Sequence, residues 1–374
     1  MAESGVKEGS GVLKNKYTDF WRFIQNDIDK IGVVYYNREN FSMYTPNIGK
    51  NRGEERMCTK MKKISAILAL VLVLALMLTA CGSENIRVAT GGNTGTYYAF
   101  GTAVANILGE KTGYNFTVQS TGASKANIQL IAAGEVELAI AQNDVMDYAY
   151  NGTDLFAGEQ TQDFSAMAAL YAEVVQIVVN PDAGITSVAD LAGKNVSVGD
   201  AGSGVEFNAK QILAAYGISF DDINKQNLGF GPSADAFKDG KIDAFFCTAG
   251  APTTAIMDLA ATNNFTILTI DDEHAAQLIA DYPFYTQYPI PAGTYENIAE
   301  DVVTLAVKAT FLVSNDLSEE VVYEMTKALF ENVDEIKAAH AKGAELDLSY
   351  AVEGISVPFH PGAEKYFREV GAIA

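Results

Sequence analysis

From residue 86 onward, short apolar runs alternate with amphipathic stretches. Residues 86–89, 116–120 and 138–141 have the length and aliphatic content of buried strands. Residues 96–111, 124–133 and 144–150 carry apolar positions at helical spacing. Gly113 stands where the first of these helices must stop. Two extended stretches follow, 166–171 and 174–179, ending at Asn180-Pro181. The pattern then restarts with a helical turn at 188–191, a strand at 196–198 and a helix at 206–216 closed by Gly217. It continues with a helix near 234–238, a strand at 244–247, a helix at 253–261 and a strand at 267–270. Residues 282–295, marked by Pro283, Pro289 and Pro291, read as a loop, and 302–313 as extended. A helix over 318–330 opens on Ser318 as N-cap with Glu319 and Glu320 in its first turn, and a last helix over 362–370 ends at Gly371. This βαβα order predicts an α/β fold of largely parallel sheets flanked by helices.

One internal echo bears on the domain count. Gly134-Glu135-Val136-Glu137-Leu138-Ala139 matches Gly240-Lys241-Ile242-Asp243-Ala244-Phe245 as helix end, turn, acidic residue and apolar strand. We expect two similarly built lobes. With the extended stretches as crossings, lobe 1 is 84–172 plus 306–374 and lobe 2 is 173–305. A ligand would lie between them, at the carboxyl ends of the strands.

Three strand-to-helix loops are rich in glycine and hydroxyls. Gly91–Tyr98 reads GGNTGTYY, where Gly95 lets the backbone approach a ligand, Thr94 and Thr96 offer hydroxyls, and the following helix offers free N–H groups. Ser120, Thr121 and Ser124 form the second loop, and Asp200-Ala201-Gly202-Ser203-Gly204 the third. Singly, each is an ordinary turn and cap. Three at equivalent places in two lobes predict a binding crevice. Converging helix N-termini suit a carboxylate without an arginine, and Arg87 and Arg368, the only arginines after Cys81, lie in no polar loop. Tyr97 and Tyr98 are candidates to wall the crevice, although one ring packing beneath the helix is equally expected. Gln142 and Asn143 would present amides, and Asp144 reads as an N-cap. Tyr171 and Glu173 stand near the first crossing; Glu173 would pair with a ligand ammonium or, more commonly, sit solvated at the surface. The loop GGNTGT lacks the Lys-Ser/Thr of a phosphate-binding P-loop and the spacing of the dinucleotide fingerprint.

The chain of 374 residues holds 47 Asp+Glu and 26 Lys+Arg. The first 81 residues take 8 acidic and 12 basic, which leaves 39 against 14 and a net −25 for the rest. That charge argues against nucleic acid as a partner. The three histidines, His274, His340 and His360, show no metal-ligand spacing, so no metal and no cofactor is expected. His340 reads as a solvated residue at a helix end. Cys247, in an apolar run, reads as buried. No nucleophile–base set appears, and catalysis is not expected.

Residues 64–78 are nearly all apolar, follow Lys60, Lys62 and Lys63, and run into Leu78-Thr79-Ala80-Cys81. The run is shorter than a spanning helix and has the build of a secretory signal, here 61–80, with Cys81 in a lipobox. The expectation is a lipoprotein tethered through Cys81 to the outer face of the cytoplasmic membrane. Residues 1–60 then read as an overlong start, with Met57 or Met61 as the true one, or as a disordered extension.

The segments GGNTGTYYAFG, QSTGASKANIQLI, GEVELAIAQND, DLAGKNVSVGDAGSGVEFNAKQIL, GKIDAFFCTAGAP, IPAGTY and FHPGAEKYFREVG, spread over 86–371, resemble the TAXI-type solute receptors of TRAP (tripartite ATP-independent periplasmic) transporters. The resemblance implies a two-lobed Venus-flytrap fold of the periplasmic-binding-protein type (type II-like). It implies a small carboxylate ligand, glutamate or a related dicarboxylate, and delivery to a TRAP permease driven by an ion gradient. It places contacts on Thr94, Thr96, Tyr97, Ser120, Thr121, Ser124 and Asn143, and around Ser203-Gly204. Val205 stands where the family often has Thr, which removes a hydroxyl, and Ala251 replaces a commonly larger residue, which would widen the pocket. The alternatives are the receptor of an ABC importer or a sensor and, less favoured, an enzyme of related fold.

Overall fold

The computed structural model describes residues 84–374. The apolar run at 64–78, Cys81 and the segment before them lie outside the described residues.

The first half builds β1 (Asn85–Ala89), α1 (Thr96–Thr112), β2 (Asn115–Gln119), α2 (Ser124–Ala132), β3 (Leu138–Gln142) and α3 (Asn143–Asn151). A sixteen-residue strand, β4 (Phe164–Val179), leads away from it. The second half builds β5 (Asn195–Ser197), α4 (Gly204–Ala215), β6 (Asn224–Gln226), α5 (Phe230–Lys238), β7 (Ala244–Ala249), α6 (Thr254–Ala260), β8 (Thr266–Ile267), α7 (Asp272–Asp281) and β9 (Thr286–Ile290). The return strand β10 (Val302–Ser314) precedes α8 (Glu319–Glu331), α9 (Val333–Ala339), α10 (Leu348–Val352) and α11 (Pro361–Glu369).

All strands join in one sheet of order β2-β1-β3-β10-β4-β7-β5-β6, with β8 beside β4 and β9 beside β10. Each end is a parallel triplet, β2-β1-β3 or β7-β5-β6. The long β4 and β10 pair antiparallel between them. Both long strands are buried along nearly their whole length, which explains their almost unbroken apolar sequence. Residues 172/173 and 305/306, the expected lobe boundaries, fall inside these two continuous strands. The apolar core divides accordingly. Phe100, Val104, Leu108, Phe311 and Phe367 pack together on one side of the first half. Val196, Ala209, Ile212 and Leu278 form a separate cluster in the second.

The echoed segments fold alike. Gly134 and Gly240 take φ of 68° and 66°, closing α2 and α5. In each turn the glycine N–H reaches back to Ile131 or Phe237, and the next N–H to Leu130 or Ala236.

The structure corrects several expectations. Residues 286–290 form β9 despite Pro289, because β9 is an edge strand that needs no donor on its outer side. Of the expected strand at 267–270 only Ile267 lies in β8, which pairs with β4 through Thr266 and Ile267, although Leu268 N still donates to the Ile177 carbonyl. Asp144 is no N-cap. It lies within α3, 1% exposed, and its carboxylate accepts from Val145 N and Asn208 Nδ2. His340 is half-buried against the edge of Phe100, and burial holds its imidazole below the usual range. Cys247 is buried. Among the described residues no helix is long and apolar enough to cross a membrane.

Candidate functional site

The loops after β1, β2 and β5 meet over the sheet and enclose a cavity of about 50 Å³. At roughly 10–15 Å³ per water position, that is space for a few water-sized centres, the scale of a small-solute site. The first half contributes Gly91, Gly92, Gly95, Thr96, Tyr97, Ala123, Ser124 and Gln142. The second contributes Asp200, Ser203, Gly204, Val205, Phe230, Thr248 and Ala249, and Glu173 enters from β4. No lysine, arginine, histidine or cysteine lines it among the described residues.

Three helices begin at this wall. α1 starts after Gly95 and α2 after Ala123, neither with a side-chain cap. α4 starts after Ser203, whose hydroxyl accepts from Glu206 N. First-turn N–H groups have no partner within their own helix, so these ends favour an anion. Ala123 holds φ 66°, ψ −147°, a conformation that a residue with a Cβ adopts only under strain. Strain at the wall of a cavity is where function tends to hold it.

The halves meet closely. A Cβ on Gly204 would lie 1.5 Å from Gln142 Oε1, so only glycine lets α4 approach β3 this far. Thr96 Oγ1 donates across to the Gly250 carbonyl at 3.0 Å, and Ala255 N donates to the Thr94 carbonyl at 3.2 Å. Behind Gln142 a buried chain spans both halves. Gln142 Nε2 donates to Asn208 Oδ1 at 2.9 Å, and Asn208 Nδ2 serves Asp144 and the Tyr285 hydroxyl. Tyr285 donates to Gln211 Oε1, and Gln211 Nε2 to the Tyr148 hydroxyl. Burial pushes the Asp144 carboxyl up to about 6.

Glu173 is buried, not solvated as expected: 2% exposed, with Oε2 accepting from the Tyr97 hydroxyl at 2.9 Å. Burial pushes its carboxyl up to about 8. Burial likewise raises Asp200, at the opposite wall.

The remaining candidates lie elsewhere. Tyr98 turns away from the cavity, half-exposed, one residue and about 100° round the helix from Tyr97. Ser120 and Thr121 donate to the carbonyls of Gly91 and Thr90, bracing the first loop rather than lining it. Thr94 packs over Gly231. Tyr171 is in the core, edge-on to Phe100. Asn143 Oδ1 accepts from Lys308 N and borders a second, more open cavity of about 820 Å³ with Tyr288, Lys308, Glu345 and Tyr350. Lys308 there is engaged by the Glu353 carbonyl at 2.8 Å and the Tyr350 ring at 4.0 Å. Ala251 lines neither cavity. Gln142, Glu173, Asp200, Phe230 and Thr248 complete the inner wall; Asp200 opens the third of the loops named from the sequence, whereas Phe230 carries no local mark of a site.

Solved structures with a related chain path include one described as a periplasmic transporter, 17% identical with a TM-score of 0.49, covering 78% of this chain and 94% of that one. The periplasmic aliphatic sulphonate binding protein of Escherichia coli is 14% identical with a TM-score of 0.41, covering 71% and 80%. A binding protein component of an ABC phosphonate transporter from Pseudomonas aeruginosa is 14% identical with a TM-score of 0.43, covering 70% and 79%. Likenesses this distant say nothing of the ligand. A family model, in contrast, matches residues 88–371, most of the sequence. The chain belongs to the NMT1-like family.

Proposed function

We propose that the protein is an extracytoplasmic solute receptor. Its two halves act as lobes, 84–172 plus 306–374 and 173–305, that close around a small carboxylate such as glutamate or a related dicarboxylate. The closed form delivers that solute to a TRAP permease driven by an ion gradient, with Cys81 as the lipid tether. The observation that carries this reading is the small cavity walled by both halves, onto which three helix N-termini open and no cationic side chain faces. A ligand touching both walls favours the closed form, and β4 and β10, the two strands shared by the halves, are where a hinge would bend.

A thermal-shift screen against amino acids and C4–C6 dicarboxylates tests the reading. A true ligand at ~100 times its dissociation constant adds about 2.7 kcal/mol and raises the midpoint. If none of these acids shifts it, the ligand class is wrong. The same cavity would serve an ATP-driven importer, so the membrane partner separates those two readings. Co-purification with a large permease supports the first, and with a transmembrane–ATPase pair the second.

A further inference from the structure

The inner wall carries an inference that rests on the receptor reading and narrows its ligand. Four buried side-chain polar atoms lack a partner among the described residues, and three of them belong to residues of this one cavity: Gln142 Oε1, Glu173 Oε1 and Thr248 Oγ1. The residues are 1%, 2% and 4% exposed. Each unmade bond costs about 1–3 kcal/mol, so three around one small space mark a place kept for a partner. The three residues are neighbours. Thr248 pairs in register with Val175, which puts it on the same face of the sheet as Glu173, and the Gln142 amide lies near enough to Glu173 to affect its acidity. Gln142 has its Nε2 committed to Asn208, so what it has left to offer is an acceptor.

Gln142 Oε1, Thr248 Oγ1 and, once ionised, Glu173 Oε1 make three acceptors with no cation on the wall among the described residues, and they call for a group with three donors and a positive charge, which describes an ammonium. We propose that Glu173, Gln142 and Thr248 form an ammonium subsite, so that the ligand is a zwitterion of the α-amino-acid kind. Its carboxylate meets the N-termini of α1, α2 and α4, and its nitrogen meets Glu173. The groups bearing on Glu173 are the Tyr97 hydroxyl from α1, Gln142 at the end of β3, Asp144 from α3, Lys342 beyond α9, Tyr171 in β4, Cys247 in β7 and Tyr350 in α10, with Asp200 on the facing wall. Burial leaves the Glu173 carboxyl largely protonated at neutral pH, whereas an ammonium beside it favours the carboxylate. Binding a zwitterion therefore releases a proton below about pH 8, where the free protein holds Glu173 protonated.

The test is calorimetry on the full chain at pH 7 in two buffers of different ionisation enthalpy. The probes are matched pairs: glutamate and glutarate, aspartate and succinate, alanine and propionate. The expected result is that the amino member of a binding pair is at least about 30-fold tighter, as a charged hydrogen-bonded contact implies, with net proton release. In E173Q that preference falls to about threefold or less. T248V, a milder change, lowers the preference about fivefold. A des-amino acid that binds as tightly as its partner overturns the subsite and leaves the receptor reading standing. Failure of all six probes to bind overturns both.

Discussion

In the first half, Glu137 accepts the amide of Arg87 in β1 and sends its own amide to the Arg87 carbonyl. In the second half, Asp243 does the same with Asn195 in β5. The carbonyl of each acid then takes an amide from the long-strand side, Ser314 N in one case and Asn180 N in the other. The match extends to the neighbouring strands: Thr90 N bonds the Gln119 carbonyl as Val198 N bonds that of Gln226. The halves part company at the cavity. α1 and α2 begin without a side-chain cap, at Gly95 and the strained Ala123, whereas α4 begins under the Ser203 hydroxyl. Tyr97 has no counterpart across the gap, where Asp200 and the Gly204 approach face it, and Glu173 stands on the shared strand β4. A repeated backbone plan thus sets where loops stand, and unrepeated loop residues set what the site binds.

The comparison is broken most sharply at Gly204. Gly204→Ala puts a methyl into Gln142 and toward Val145, at 3.2 Å from its Cγ2, so the halves cannot meet as they do. Affinity for the acid found in the screen should fall about 10- to 100-fold by calorimetry while circular dichroism shows a folded protein. Next is the bridge. Asn208→Ala leaves Gln142, Asp144 and Tyr285 short of a partner, and urea unfolding should show a loss of about 2–3 kcal/mol. Asp144 gives a pH signature. Its carboxyl is raised by burial from 3.8 to about 6, so its contribution favours the fold below about pH 4 and is lost as pH rises through 6. Asp144→Asn should therefore gain stability relative to the parent between pH 4.5 and 7.5, on the order of 1–3 kcal/mol, read as a difference in melting temperature. The smallest effect is at the strained cap. Ala123→Gly should stabilise the ligand-free protein by about 0.5–1 kcal/mol, since glycine takes φ 66° without strain but gives up chain entropy.

Periodicity and punctuation carried most of the fold. Strand and helix positions in both halves follow from apolar spacing, and Gly113, Gly217 and Gly371 end their helices with φ near 75°. α7 escaped notice because only Ala275 and Leu278 are buried in it, too few for a visible stripe. β9 escaped because Pro289 mimics a loop. At the site, loop composition pointed to Gly95, Thr96, Tyr97, Ser124, Gln142, Ser203 and Gly204, all of which line the cavity. It also pointed to Ser120 and Thr121, which share that composition yet spend their hydroxyls on carbonyls of the neighbouring loop. Glu173 could not be read locally. Its burial is made by Tyr97 and Gln142, 76 residues and 31 residues earlier in the chain, and a carboxylate between apolar residues looks the same whether it faces solvent or a cavity.

Hydrogen exchange with and without the tightest acid from the screen tests the central claim most directly. The account predicts slowed exchange together at the first-turn amides of α1, α2 and α4, with the wall of the larger cavity around Tyr288 and Tyr350 unchanged. Protection confined to one half, or centred on that larger cavity, would contradict it.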